Sequence, residues 1–472
     1  MDMRTRGAPA AAYDPRYDPL VDAHPGQGRA YAPTYWVASA GTPPADDGPI
    51  QGDVDADVVI VGSGFTGLAT ALFLAREHGI RATVLEANRV VWGCTSRNGG
   101  QGQNASGRLY RSQWIKRWGQ DVALKLDAEI RSGFETFRSL VAEIPACKPQ
   151  HGGHLYTAHR PRKMDFLRAE AEVMRRVFGY DTQLLSRDDV HRRYLRDEEC
   201  QGAMLEPDGI GVHPLKLAFG YLQRARELGA KVHPASPVIG IDTRNGVHHV
   251  RTPHGTVRAR AVGFATGGYT SNGLHPSVAG KIMPILSNSL VTRVLTPEER
   301  DAAGLRSTVF VTDTRTLRHY YRLLPDGRMQ IGSRSAITGA DAPSPQHMQG
   351  LVRGLHRKFP ALKGVDIAHS WWGWVDVSHD MMPRISQPDP GRSVFYALGY
   401  GGNGVSFSAH AGRRMAQRIA GRRDDAFELP IYRGALEYPN VFNLVRSRAF
   451  APFRRLGQRA LYRWYQLHDE RR

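Results

Sequence analysis

Gly62, Gly64 and Gly67 fall at the spacing G-x-G-x-x-G, and an acidic residue, Glu86, follows them along the chain. Residues of these types at this spacing can hold a dinucleotide. The first glycine permits a tight turn, the second lets bare backbone approach a pyrophosphate, and the third brings a helix against a strand. A helix starting at the turn, through Phe65 and Thr66, offers unpaired N–H groups and its positive dipole end to phosphate. Glu86, with Ala87 beside it, is placed to accept the hydroxyls of an adenosine ribose. The elements these roles demand are legible. Residues 58–61 read as a buried parallel strand. Leu68, Ala71, Leu72 and Ala75 recur at helical spacing until Gly79, and residues 82–85 form a second strand. The uncharged run 58–75 approaches a membrane span in length, but its glycines divide it into strand and helix.

The stretch 88–103, NRVVWGCTSRNGGQGQ, suits neither helix nor strand. Gly93, Gly99, Gly100 and Gly102 keep its backbone bare, and Ser96, Arg97, Asn98 and Gln101 offer polar groups. A simple nicotinamide-dependent dehydrogenase would continue here into its next helix. A second glycine-rich loop is suited to pass beside the pyrophosphate and a flavin ring, so the expected cofactor is FAD, held noncovalently. Cys94 sits in this loop and reads as a small packing residue rather than a covalent attachment point. A third glycine turn, Gly401, Gly402, Asn403, Gly404 and Val405, precedes a helix containing Ala409, Ala411, Gly412 and Ala416. Its dipole would favour the negative charge of a reduced flavin.

Gly93 and the run Ser96-Arg97-Asn98-Gly99-Gly100-Gln101 resemble the loop of the D-amino-acid-oxidase-like flavoproteins, which include glycine oxidase and sarcosine oxidase. They resemble most the γ-glutamylputrescine oxidase branch. The likeness extends over most of the chain, in order: PTYWVASA at 33–40, VGFATGGY at 262–269 with Ala265, Thr266 and Gly267, RHYYRL at 318–323, and YALGYGGNGV at 396–405. Val238 matches the position where that family's backbone meets the adenine, and DMMP at 380–383 its crossover into the closing strand. The resemblance implies an α/β, two-lobed flavoprotein. A discontinuous dinucleotide-binding FAD domain takes 51–105, 206–275 and 376–430. A substrate domain of antiparallel or mixed sheet and helices takes 106–205, mainly helical by pattern, and 276–375, rich in strands. Residues 1–50 read as an N-terminal arm outside the core, and 431–472 as a basic tail.

The implied reaction moves a hydride from a carbon bearing nitrogen to flavin N5. The imine is then hydrolysed, and oxygen reoxidises the flavin with release of hydrogen peroxide. The expected substrate is a small amine or amino acid, with an anionic or acylated tail as in γ-glutamylputrescine. No dedicated base and no metal are required. Alternation along a strand puts Tyr320 and Arg322 on one face and Tyr321 on the other. Arg322 there either forks onto an anionic substrate end or lies on the sheet's back. Trp371 and Trp372, with Trp374, either cage a cationic amine or belong to the core. His379 is a further active-site neighbour.

The chain carries a formal net charge of +18, mostly dispersed arginine. Such a balance fits nucleic acid, an anionic membrane surface or steering of an anionic substrate. No zinc-finger, KH or RRM signature appears, so nucleic acid ranks last. Arginine interleaved with aromatic residues over 441–472 suits an amphipathic helix, packed on the protein or touching anionic lipid. Two alternatives follow: a membrane-associated flavin dehydrogenase of a cyclic or N-alkylated amino acid that feeds a quinone, and a flavoprotein acting on RNA. Three scattered cysteines and no apolar leader favour a cytoplasmic protein, with or without peripheral membrane contact.

Overall fold

The computed structural model describes residues 16–334, 336–433 and 451–469. The buried apolar run anticipated at 58–61 is the second half of a strand, Val54–Val61, at the centre of the first sheet. Gly255–Phe264 and Ala82–Leu85 flank it, both parallel, and Val394–Leu398 lies beyond Gly255–Phe264, also parallel. Lys231–His233 and the antiparallel strand Arg384–Ser386 close the two ends. A sheet buried on both faces needs apolar side chains in both directions, and Val58, Val59, Ile60 and Val61 are all buried. The helices Phe65–His78, Pro214–Glu227 and Gly404–Ile419 share one core with the first of these strands.

The second sheet has eight strands. Ile367–Val377, Met283–Val294, Arg328–Arg334, Tyr320–Leu323 and Phe310–Asp313 run antiparallel in that order. His154–Thr157 then joins Phe310–Asp313 in parallel, followed by Gly202–Glu206 and Gln183–Ser186. Residues 106–205 therefore divide their allegiance. Their strands extend this second sheet, while the helices Gln120–Glu143 and Arg162–Phe178 bury their apolar faces in the core shared with Phe65–His78.

The reading of residues 1–50 as an arm outside the core needs correction for its described part. Tyr17, Tyr35, Trp36 and Ile50 are buried. The short helix Tyr35–Ala40, capped by Thr34, packs against the first core, and the Tyr17 ring stacks on Tyr269 at 5.9 Å. Proline and glycine marked a lack of regular structure here, not a lack of burial. The basic tail also contributes: Ile431 and Tyr432 are buried, and the helix Ala451–Asp469 docks through its last turn. The Asp469 carboxylate accepts the Thr316 amide at 2.8 Å, and Tyr462 packs on Leu317 and Ile337. Leu456, Leu461, Trp464 and Leu467 of the same helix are exposed. Residues 434–450 and 470–472, the rest of that tail, lie outside the described residues. Among the described residues no helix is long and apolar enough to cross a membrane.

One buried charge cluster ties the helices Gln120–Glu143 and Gly404–Ile419 together. Glu129 accepts hydrogen bonds from His410 Nε2 and from Arg414 Nε and Nη2, all at 2.7 Å, and from the Tyr432 hydroxyl at 2.5 Å. Burial opposes ionisation of this carboxylate, but its partners outweigh burial and hold it well below the usual range. A depressed carboxylate contributes stability above its unfolded pKa and loses it as pH falls towards the folded value. Glu129→Gln should cost about 3–5 kcal/mol at neutral pH. In melting experiments the gap between wild type and variant should narrow as pH drops below the ordinary carboxylate range.

Candidate active site

The turn after the first strand opens on a cavity that runs on to the face of the second sheet. At its dinucleotide end it is lined by Gly62, Gly64, Phe65, Thr66, Glu86 and Ala87, with Val238 across from them. The bare loop brings Gly93, Arg97, Asn98, Gly99 and Gln101 to its wall. Ala265, Thr266 and Gly267 line it after the strand Gly255–Phe264, and Gly402, Asn403, Gly404 and Val405 at the start of the helix Gly404–Ile419.

Four residues expected to touch the cofactor stand outside this lining. Gly67 brings the helix onto the turn, and a Cβ there would collide with the Gly62 carbonyl. Ser96 donates its hydroxyl to the Trp92 carbonyl at 2.9 Å and fixes the loop's single helical turn. Gly100 accepts the Val212 amide at 2.8 Å, and Gly401 donates its amide to the Asp376 carbonyl at 2.8 Å. These hold the cradle from behind.

The residues present fit FAD. A Cβ on Gly64 would lie 3.1 Å from Thr95 Oγ1, which already accepts the Phe65 amide at 3.1 Å, so a side chain there presses on the hydroxyl that holds the turn. Glu86 Oε2 accepts the Ser63 amide at 3.1 Å and its hydroxyl at 2.7 Å, and Oε1 accepts the Asn88 amide at 3.1 Å. Burial pushes the Glu86 carboxyl up, and these hydrogen bonds oppose the rise. The group is fixed in place with lone pairs left for a ribose. Cys94 lines the cavity, but burial pushes its thiol up to about 12. This disfavours the thiolate that a covalent linkage would use.

Several expected catalytic residues are elsewhere. Tyr320 does line the cavity, its hydroxyl 2.7 Å from Ser289 Oγ and 3.0 Å from Ser287 Oγ. Arg322 does not. Two residues farther along the same face, it runs behind the loop: Nη2 donates to the Val212 carbonyl at 2.6 Å, Nη1 to Gln150 Oε1 at 3.0 Å and Nε to Gln330 Oε1 at 3.3 Å. Burial lowers its pKa to about 9. The tryptophans build no cage. Trp371 is buried and donates Nε1 to the Arg97 carbonyl at 2.8 Å; alternation carries Trp372 and Trp374 to the opposite side of the strand, where Trp374 donates to the Tyr17 carbonyl at 2.9 Å. It is the backbone position between them, Gly373, that reaches the cavity. His379 stands outside the cavity beside Asp380.

Sequence reasoning missed Arg108, Arg318 and Arg334, which line the second-sheet end, and Tyr269, whose ring lies edge-on to Trp92 with the Arg97 guanidinium against both, 5.3 Å from Tyr269 and 4.3 Å from Trp92. A signal for two of them existed. Arg318 lies one strand period before Tyr320. Gly332 pairs with Tyr320, so Arg334, one period on, falls on the same face.

Strand, glycine turn, acid and bare loop define an FAD-binding oxidoreductase. The family profile DAO, described as FAD dependent oxidoreductase, matches residues 57–418, and the chain belongs to this family. FAD is its cofactor. The chain is 32% identical over 404 residues to γ-glutamylputrescine oxidoreductase of Escherichia coli K12, covering 84% of this chain and 92% of that one. It is 30% identical over 394 residues to the probable oxidoreductase OrdL of Haemophilus influenzae, covering 82% and 87%. Glycine oxidase from Geobacillus kaustophilus shares the fold, with a TM-score of 0.70 and 21% identity, over 82% of this chain and all of that one.

Two substitutions separate cradle from support. Gly64→Val forces a side chain between the turn and Thr95 and should weaken FAD retention about ten- to hundredfold, read as flavin absorbance per chain after purification. Arg322→Leu leaves the Val212 carbonyl and Gln150 without their donor and should cost about 2–4 kcal/mol of stability, with flavin lost alongside. A selective rise in KM with full flavin would instead return Arg322 to the substrate.

Proposed function

We propose that the enzyme oxidises an amine or amino acid at the carbon bearing nitrogen, giving an imine that water hydrolyses, with oxygen as the terminal acceptor. One observation carries this reading: the FAD cavity continues past the bare loop into a polar chamber, where Gln101, Gln103, Thr312 and Tyr320 face guanidinium groups from three arginines. Bound FAD supplies the two-electron acceptor. The chain has to orient the substrate carbon and hold its nitrogen neutral. Neutral amide and hydroxyl groups can accept from, or donate to, an uncharged amine without a protonated partner. The described residues lining the cavity include no lysine, and the histidine among them, His24, adjoins Pro25, whose carbonyl accepts from Asn88 at the dinucleotide end, which fits a reaction without a dedicated base. The arginines anchor an anionic tail away from the reacting carbon. The names of γ-glutamylputrescine oxidoreductase and glycine oxidase, a relative and a structural neighbour, support the substrate class.

The free thiols Cys94, Cys147 and Cys200 support a reducing, cytoplasmic setting. A second reading, a dehydrogenase that passes electrons to a membrane quinone, draws on the exposed Leu456, Leu461, Trp464 and Leu467 beside Arg459. Anaerobic mixing with a panel of amines and amino acids should bleach the flavin with at least one anionic member. Air should then restore the colour and yield one peroxide per flavin. Recolouring by a quinone analogue but not by air would select the dehydrogenase, and a panel that bleaches nothing would remove amines altogether. Acid precipitation of the same enzyme should leave the flavin in the supernatant.

A further inference from the structure

Most enclosed cations in this protein meet carboxylates, and Arg322, which does not, donates from Nε, Nη1 and Nη2 to carbonyl and amide oxygens. Lys358 lies within 3.3 Å of Asp197 and Glu199 and 3.1 Å of Asp313. Arg315 meets Asp313 at 2.6 Å and Glu199 at 3.0 Å, and Arg111 meets Asp127 at 2.6 Å. Arg108, Arg318 and Arg334 depart from both patterns together. Among the described residues none of the three has a carboxylate within salt-bridge distance. Arg108 Nη1 donates to the Gly401 carbonyl at 3.3 Å. Arg318 Nη2 reaches the Tyr110 hydroxyl at 3.4 Å, and its buried Nε has no partner. The Arg334 side chain makes no hydrogen bond among the described residues. All three are half-buried, and all three line the same end of the FAD cavity.

Three like charges in one enclosed chamber repel each other and lose water. Burial, followed by repulsion from the other two, lowers Arg108, and burial is the main cause at Arg334; at Arg318 burial is outweighed by Tyr156, Tyr110 and Asp313, which hold it up. Asp313, the acid nearest Arg318 on the same sheet, is committed to Lys358 and Arg315. Such an arrangement is costly unless a ligand neutralises it.

We propose that the substrate is a small amine carrying two separate carboxylate groups, which Arg108, Arg318 and Arg334 bind together at the second-sheet end of the cavity. This rests on the amine-oxidase reading above. One carboxylate satisfies one guanidinium fork and leaves most of the charge unanswered. Two carboxylates leave a single surplus positive charge.

The test uses FAD-loaded enzyme and ligands that cannot be oxidised, so that it reads binding without turnover. Glutarate and succinate, against butyrate and methylphosphonate at constant ionic strength, are titrated by perturbation of the flavin spectrum. The dicarboxylates should bind about tenfold or more tightly than butyrate. Arg108→Gln, Arg318→Gln and Arg334→Gln, each checked for wild-type flavin content, should each narrow that preference about tenfold, and Arg334→Lys should narrow it less. Equal affinity for mono- and dicarboxylates overturns the proposal, as does a preference that all three glutamine variants keep. Methylphosphonate binding as tightly as glutarate overturns the two-group form in favour of one compact dianion. A dicarboxylate preference in an enzyme that no amine bleaches supports the anion site and overturns the amine-oxidase reading instead.

Discussion

Two neighbouring carbonyls are held by two indoles. Trp36 donates to Asn98 at 2.7 Å, and Trp371 donates to Arg97 at 2.8 Å. The loop they grip must be bare on the side that meets FAD, so all the force that fixes it has to come from the other side. Trp36 belongs to the segment before the first sheet, and Trp371 to the edge strand of the second. Arg322 completes the grip by holding Val212, whose amide in turn holds Gly100. Three distant parts of the chain thus converge on a few residues of backbone. Glycine makes the close approach possible, and large, rigid side chains behind it replace the order that glycine gives up.

The same economy governs charge. Where the structure must not move, cations and anions meet in closed groups, as at Glu129 with His410 and Arg414, or Lys358 with its three acids. Where it must accept a ligand, the groups are left with one partner missing. Glu86 has donors from Ser63 and Asn88 but faces open space with the rest of its lone pairs, and the arginines of the chamber face it with their N–H groups. Satisfied clusters define the scaffold and unsatisfied ones define the site.

The cofactor half was legible because its physics is local. A pyrophosphate needs a turn, bare backbone and a helix start, and those fall within consecutive residues from Gly62 to Phe65. The substrate half was not, because it is assembled across strands. Tyr320 could be placed by alternation, but whether Arg322 reached the cavity or ran behind the loop depended on where the loop lay over the sheet. Trp371 and Trp372 carried the right chemistry for an amine cage. Their direction was set by the register against Ser289 and Asn288, which a single strand does not reveal. The segment before residue 50 misled for another reason: low regularity and high burial coexist there, and pattern reports only the first.

The centre of the first sheet has a consequence for how the molecule is made. Val54 pairs with Val257, so one edge of the central strand waits for a partner encoded far downstream, and that partner in turn pairs Val262 with Val394. Parallel pairing at such separations carries a large loop-closure entropy before any contact rewards it, and folding of this kind is slow. During synthesis the strand Val54–Val61 emerges early, its second half apolar on both faces; Ala82–Leu85 follows soon to cover one edge, and the other stays open. An edge of that kind is a template for the wrong neighbour. That edge stays open until residue 264 has been translated, so the order of synthesis sets how long the strand is exposed before the sheet can close around it.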